Sequence, residues 1–330
     1  MTKVLITGAT GFLGGHAARR LARMGWEVYA MGRSLDAGEK LKRDGIRFIE
    51  ADLRDAAAVE QACAGQEVVL HCGALSAPWG PYRSFYECNV EATRHVLAGC
   101  RKHEVSRLVH ISTPSVLFDY HPRRSVREDA PLPQRPANAY AATKLLAEQE
   151  VLSACQDGVP ALILRPRAIF GPQDRSLFPR LLEANAQGGV PMIGEGQASI
   201  DLTYVDNVVD AMVLGCQAGP EALGRAYHIS NGEAYTFREL MEKLFAMLAI
   251  PLQTRKLPYK VAYSLAALLE LVYSALPLKG EPPLTRYTVG SIGVTHTLDI
   301  SLARQYLGYT PQVSVEEGLR RFADWWVKSC

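Results

Sequence analysis

Tyr140 and Lys144 stand four residues apart in Tyr140-Ala141-Ala142-Thr143-Lys144, a spacing that sets both side chains on one helix face. A free phenol has a pKa of about 10, too high for an efficient proton donor and acceptor near neutrality. A nearby ammonium stabilises the phenolate and lowers that value. The pair is therefore a candidate general acid/base, with the lysine also able to bond a ribose. The spacing alone is common on ordinary helices, so its surroundings decide. Upstream, His110-Ile111-Ser112-Thr113-Pro114-Ser115 ends a predicted strand in hydroxyls. Hydroxyls at the carboxyl edge of a parallel sheet sit where open α/β proteins bind ligands, and one of them can bond a substrate carbonyl oxygen beside the tyrosine. The plain alternative is a Ser/Thr-rich turn.

The elements that must hold these groups alternate between strand and helix. Short apolar runs at Val4–Thr7, Glu27–Met31, Arg47–Glu50, Glu67–His71, Arg107–Ser112 and Ala161–Leu164 predict six buried strands. Helices are expected at His16–Met24, stopped by Gly25, at Asn89–Lys102 and at Tyr140–Ala154. The pattern predicts an α/β fold, a doubly wound parallel sheet of the Rossmann type. Beyond Gly171 the rhythm changes: Pro172, Pro179 and Pro191 punctuate shorter elements. The expected organisation is a dinucleotide-binding domain over 1–170 and a smaller C-terminal substrate-binding region over 171–330, with segments returning to the main sheet.

Gly8-Ala9-Thr10-Gly11-Phe12-Leu13-Gly14 lies between the first strand and the first helix. Glycine there allows a tight turn, close approach of a pyrophosphate, and close packing of helix on strand. The helix N-terminus then offers free N–H groups to phosphate charge. An acidic residue ending the second strand would bond the adenosine ribose and favour NAD; an arginine accommodates the extra phosphate of NADP. The sequence has Met31-Gly32-Arg33-Ser34, with Asp36 expected in a loop, so NADP(H) is favoured over NAD(H).

Composition excludes other classes. Hydrophobic residues are 48% and charged residues 21% of 330, and the net charge of +2 lacks the basic excess of a nucleic-acid binder. The seven cysteines form no CxxC pair, which suggests reduced thiols, no zinc site and a cytoplasmic protein. The eight histidines show no metal-ligand spacing, so no metal is expected; His71 and His110 read as structural. The apolar run at the start breaks at Thr7-Gly8, unlike a signal peptide.

Together these motifs resemble the extended short-chain dehydrogenases: the glycine turn, Asp52-Leu53, His71-Cys72-Gly73-Ala74, Asn89-Val90, Ser112-Thr113, Tyr140…Lys144, Arg165-Pro166…Phe170-Gly171-Pro172 and Tyr204-Val205-Asp206-Asn207 occur in that family's order along nearly the whole chain. The resemblance implies that Tyr140 is the general acid/base, that Lys144 tunes it and holds the ribose, and that Thr113 is the active-site hydroxyl, with Ser112 and Ser115 as neighbours able to substitute. It assigns cofactor contacts to Gly8, Thr10, Gly11, Phe12, Leu13, Gly14, Arg33, Ser34, Asp52, Leu53, Cys72, Gly73, Ala74, Asn89, Ser112, Tyr140, Lys144, Arg165, Pro166 and Ile169. Asp52 and Leu53 would flank adenine, and Asn89 would support the active-site helix. Gly73, where many members carry alanine, is a departure of little consequence. A homodimer paired through the Asn89 and Tyr140 helices is also implied.

Pro282-Pro283-Leu284-Thr285-Arg286-Tyr287, Leu298-Asp299-Ile300-Ser301 and Leu307-Gly308-Tyr309 resemble the 3β-hydroxysteroid dehydrogenase-like branch, which includes 2-alkyl-3-oxoalkanoate reductases. This implies a small apolar or amphipathic substrate, with Trp79, Ser115 and Arg167 as candidate contacts. The alternatives are a nucleotide-sugar epimerase or dehydratase, and a non-catalytic dinucleotide sensor. Ile200 speaks against the former, because those enzymes often carry a diphosphate-binding arginine there, although Arg180 or Arg167 could serve instead. Intact Tyr140, Lys144 and Thr113 speak against the latter. Val261, Leu265, Leu268, Leu269, Val272 and Leu276 recur at helical spacing opposite a narrower polar stripe with Glu270. A charge in mid-helix argues against a membrane span. A core helix, a lid over the pocket and a membrane-surface helix remain open. Arg123, Arg124 and Arg127 are expected in a solvated loop.

Overall fold

The computed structural model describes residues 1–276, 278 and 280–329. Cys330 and Pro277, the latter within the 261–278 stretch, lie outside the described residues. Seven parallel strands form the main sheet: β1 (Lys3–Thr7), β2 (Glu27–Gly32), β3 (Arg47–Glu50), β4 (Val68–His71), β5 (Arg107–Ile111), β6 (Ala161–Pro166) and β7 (Ala226–Ile229), in the spatial order β7-β6-β5-β4-β1-β2-β3. The reversal between β1 and β4 opens a crevice at the strands' carboxyl ends, where such sheets bind ligands. Val4, Leu5, Ile6, Val69, Leu70, Leu108, Val109, Leu162, Ile163 and Leu164 are buried, as strands covered on both faces require.

Helices α1 (Phe12–Arg23), α2 (Leu35–Arg43), α3 (Ala56–Cys63) and α5 (Ala139–Gln156) flank the sheet, as does α4, a continuous run through Tyr82–Phe85, a wider π-helical turn at Tyr86–Glu91, and Ala92–Lys102. The first helix starts four residues earlier than its apolar pattern suggests, directly on the glycine turn. Asp36 is in the first turn of α2, not in a loop, where a carboxylate suits the helix dipole. Arg123–Val126 is a strand rather than a loop. It pairs with His296–Leu298 in a second sheet ordered 234–236, 199–201, 296–298, 123–126. Its partner lies some 170 residues away, and a four-residue strand of two arginines, a serine and a single valine carries little apolar signal of its own.

The helices Phe178–Ala186, Phe237–Met247 and Val315–Ser329 enclose a second core of Phe170, Phe178, Tyr204, Phe237, Leu240, Phe245, Leu319 and Phe322, with Trp325 and Trp326 packed on its margin. The Tyr259–Ala275 helix turns its small residues and its acid, not its leucines, toward the protein. Ala262, Ala266 and Glu270 face inward, whereas Val261, Leu265, Leu268 and Leu271 are exposed. Glu270 is satisfied inside by the backbone N–H and Nε of Arg286, at 2.7 and 2.5 Å. No helix among the described residues is long and apolar enough to cross a membrane.

Candidate active site

The glycine turn follows directly from β1. Gly8 has φ +67, and a Cβ on it would lie 2.6 Å from the Cα of Gly73, so the β1 and β4 ends touch through backbone alone. A side chain at Gly73 would in turn meet Leu53 Cδ1 at 2.2 Å, so the glycine there does have a consequence: it leaves room for Leu53. Gly14 packs as closely, its would-be Cβ 2.4 Å from the Gly8 carbonyl oxygen. The N-cap of α1 is Gly11, whose lack of a side-chain acceptor leaves the first N–H groups of the helix uncapped. A bare helix N-terminus behind a glycine cradle fits the pyrophosphate of a dinucleotide.

Arg33 sits one residue past β2 with its side chain 70% exposed, 3.8 Å from Asp52. Ser34 caps α2 by accepting the Ala37 N–H. Arg54, which the sequence pattern did not single out, holds Asp52 through Nε and Nη2 at 3.1 and 2.7 Å, and its guanidinium brings the Asp52 carboxyl down to about 2. Two guanidiniums thus converge on the rim where the adenosine end of a dinucleotide would lie.

Below the rim a cavity of about 490 Å³ runs from the sheet edge into the C-terminal half. Phe12, Leu13, Cys72, Ala74, Ser112, Thr113, Tyr140, Pro166 and Ile169 line it from the sheet side, together with Ser115 and Arg167. Leu177, Phe178, Leu181, Leu240, Met241 and Ile292 form an apolar opposite wall. Trp79 lies elsewhere, in a smaller pocket with Asn138, Glu270 and Arg286. Tyr287 lines both pockets, and Ala74 and Ser76 of the same loop line the main cavity.

Around Tyr140 the hydroxyls interlock. The phenol lies among the Ser76 and Thr113 hydroxyls, both of which favour its ionised form. Thr113 Oγ1 donates to Ser115 Oγ at 2.9 Å, and Ser115 Oγ shares a proton with Tyr287 OH at 2.7 Å. Asn138 caps α5 by accepting the Ala141 N–H at 2.9 Å, fixing where Tyr140 enters the helix. Neither Ser76 nor Tyr287 was a candidate from its local sequence; Tyr287 reaches the site across 172 residues of chain. Burial pushes the Tyr140 phenol up to about 12, aided by Tyr287 and opposed by the Ser76 and Thr113 hydroxyls. The net shift is upward, opposite in sign to the lowering expected from Lys144. The lysine donates instead to the Ile111 carbonyl at 2.6 Å and meets His110 Nε2 at 3.0 Å, and burial brings its own pKa down to about 8. His110 thus has a role beyond packing, as a partner of the buried lysine.

Two residues assigned to the cofactor also tie the frame of the site together, Asn89 as expected for the active-site helix. Asn89 clamps Leu75 through both its N–H and C=O, at 2.7 and 3.2 Å, and donates to Thr143 at 3.0 Å, which ties α4 and the loop after β4 to α5. Arg165 points away from the cavity into a buried two-point ion pair with Glu148, at 2.9 and 2.6 Å, which locks α5 to β6. The charge of this guanidinium is thus matched within the protein.

This geometry accords with the chain's relatives. Residues 4–230 match the model of the NAD dependent epimerase/dehydratase family. The 2-alkyl-3-oxoalkanoate reductase of Stenotrophomonas maltophilia (strain K279a) is 41% identical over 324 residues, covering 97% of this chain and 98% of that protein. The mouse sterol-4-alpha-carboxylate 3-dehydrogenase, decarboxylating, is 30% identical, covering 97% and 89%. The crystal structure of UDP-glucuronic acid 4-epimerase from Bacillus cereus, in complex with UDP-glucuronic acid and NAD, superposes with a TM-score of 0.80 at 22% identity over 100% of both chains, and so shows the shared fold. The chain is an oxidoreductase of the NAD dependent epimerase/dehydratase family, an extended short-chain dehydrogenase of the branch that includes 2-alkyl-3-oxoalkanoate reductases and 3β-hydroxysteroid dehydrogenases.

Proposed function

We propose that the protein reduces the ketone of a bulky apolar or amphipathic substrate, a 3-ketosteroid-like compound or a 2-alkyl-3-oxo acid, with NADP(H) in preference to NAD(H). The observation that carries this is the cavity: the Tyr140–Thr113–Ser76 hydroxyls at one end and a wall of Leu177, Phe178, Leu181, Leu240 and Met241 opposite. Ile200 lines the cavity where a diphosphate-binding arginine would favour a nucleotide sugar. The relatives named for reductase and sterol dehydrogenase activities agree.

When bound, a nicotinamide dinucleotide would supply a hydride for the carbonyl carbon. Tyr140 delivers the proton to the oxygen, and a solvent proton restores the phenol. Thr113, bonded to Ser115, orients that oxygen. Lys144, anchored by Ile111 and His110, keeps a cation behind the phenol to favour the phenolate formed in the step, and would hold the ribose. Gly8, Gly11 and Gly14 would receive the pyrophosphate, Phe12, Leu13, Cys72, Ala74, Pro166 and Ile169 the nicotinamide end, and Arg33 with Arg54 the additional phosphate of NADP. The same proposal assigns cofactor binding to 1–170 and substrate binding to 171–330, places the protein in the cytoplasm, and makes it a homodimer through the Asn89 and Tyr140 helices. Sedimentation as a single species at the 36.2 kDa of one chain would remove the dimer.

The test is NADPH and NADH oxidation with a 3-ketosteroid, a long-chain 2-alkyl-3-oxo acid and a UDP-4-keto sugar, each repeated with Tyr140→Phe. NADPH-linked turnover of an apolar ketone is expected, falling on the order of 100- to 10,000-fold in the variant while cofactor binding persists. Turnover of the sugar nucleotide alone would reassign the protein to the epimerases and dehydratases.

A further inference from the structure

Arg165 and Arg167 are two residues apart at the end of β6 and live in opposite electrostatic circumstances. Arg165 is neutralised by Glu148. Arg167 is as deeply buried, 7% exposed, yet has no ion-pair partner among the described residues, and its Nε finds no hydrogen-bond acceptor. The nearby Asp201 carboxyl lies beyond ion-pair distance and spends its Oδ2 on the Leu298 N–H at 2.6 Å. His296, also beside Arg167, is held neutral by burial, its pKa brought down to about 3. A buried guanidinium without a paired anion is costly, and this one lines the cavity.

Its position is set by strand register. Ile111 pairs with Leu164, and the Ser112 N–H donates to the Leu164 carbonyl at 2.7 Å, so the two strand ends run side by side past the sheet. Thr113 follows on one chain and Arg167 on the other. The hydroxyl that would orient a carbonyl oxygen and the unpaired cation therefore leave adjacent strands into one cavity. In a 3-oxo acid the ketone and the carboxylate are separated by a single carbon, so one molecule presents both groups side by side.

We propose that Arg167 is a carboxylate anchor that makes the enzyme selective for free 3-oxo acids, and for 3-hydroxy acids in reverse, over their esters and over ketones lacking the acid. This rests on the ketone-reductase reading above. The acid's carboxylate pairs with the guanidinium, its oxo group faces Thr113 and Tyr140, and its alkyl chains lie against Phe178, Leu240 and Met241.

The test avoids labile 3-oxo acids by running the reaction backwards: NADP⁺-linked oxidation of a long-chain 2-alkyl-3-hydroxy acid and of its methyl ester, in wild type, Arg167→Met and Arg167→Lys. Wild type is expected to favour the acid by ~100-fold in kcat/KM, mostly through KM. Arg167→Met brings the acid down to the level of the ester and leaves the ester nearly unchanged; Arg167→Lys recovers part of the preference for the acid. An arginine serving structure alone would lower acid and ester together in Arg167→Met, and that result overturns the proposal. Should Arg167→Met fail to fold, wild type decides: equal efficiency on acid and ester rejects the anchor while leaving the ketone-reductase reading intact. Turnover of neither compound, with a UDP-4-keto sugar accepted, rejects both.

Discussion

The two walls of the cavity are built on different physical terms. On the sheet side the groups behind the catalytic residues are buried and bonded, Thr143 to Asn89, Lys144 to Ile111 and His110, Glu148 to Arg165, whereas Ser112 Oγ and Arg167 Nε stand at the cavity without a partner among the described residues. The opposite wall is apolar and comes from the C-terminal half, where Phe178, Leu240, Met241 and their neighbours pack without directional bonds. One exception crosses between them, the Tyr287–Ser115 bond. Directional bonds in a low-dielectric interior fix atoms to fractions of an ångström, which proton delivery needs. Apolar packing tolerates exchange of volume for volume, which a family with varied substrates needs.

If the sheet wall owes its rigidity to paired charges, breaking one pair should cost more than any change on the apolar wall. Glu148→Gln leaves Arg165 buried without its anion, and a loss of about 3–5 kcal/mol in urea unfolding is expected. Glu148→Gln combined with Arg165→Met should recover much of it, because no uncompensated charge then remains. A midpoint unchanged by Glu148→Gln would show that the pair does not hold α5 to β6.

Asp201, on the C-terminal side of the cavity, sharpens the contrast because it is buried without a close cation. Burial pushes its carboxyl up to about 6, against the help of the Leu298 N–H and Arg167. A carboxyl with a raised folded-state pKa binds its proton more tightly when folded, so stability falls as pH rises from the unfolded value of about 4 through 6. Relative to Asp201→Asn, whose amide oxygen can still accept the Leu298 N–H, wild type should lose roughly 3 kcal/mol across that window. Urea unfolding of both proteins at pH 4, 5, 6 and 7 measures it; a difference independent of pH would place the proton elsewhere.

The two walls were unequally legible in the sequence, for the same physical reason. Gly8 to Gly14 and Tyr140 with Lys144 lie within a few residues of one another, so their spacing, read with the strands and helices around it, marks them. Ser76, His110 and Tyr287 enter by topology: His110 faces its partners because β4 pairs with β5, His71 opposite His110. Arg165 and Arg167 read alike as strand-end arginines, and only the position of Glu148 on α5 separates the paired one from the free one. The apolar period of the Tyr259–Ala275 helix leaves core, lid and membrane-surface readings open, because the ion pair with Arg286 that keeps Glu270 inside and the leucines out joins residues the local pattern does not connect.

The smallest effect is expected where the walls meet. Tyr287→Phe removes one neutral hydrogen bond to Ser115, worth about 0.5–1.5 kcal/mol, so kcat/KM should fall by roughly two- to tenfold with little change in stability. The pH profile gives the better diagnosis. Tyr287 is one of the groups that hold the Tyr140 phenol above its usual value. Without the second hydroxyl, Tyr140 ionises more easily, and reduction, which needs the protonated phenol, should lose its alkaline limb at lower pH than in wild type. A drop in rate with an unmoved alkaline limb would mean that Tyr287 only positions Ser115; a shifted limb with an unchanged rate would mean that it acts on the Tyr140 proton alone. Both changes together are expected if the bond across the cavity couples the rigid wall to the adaptable one.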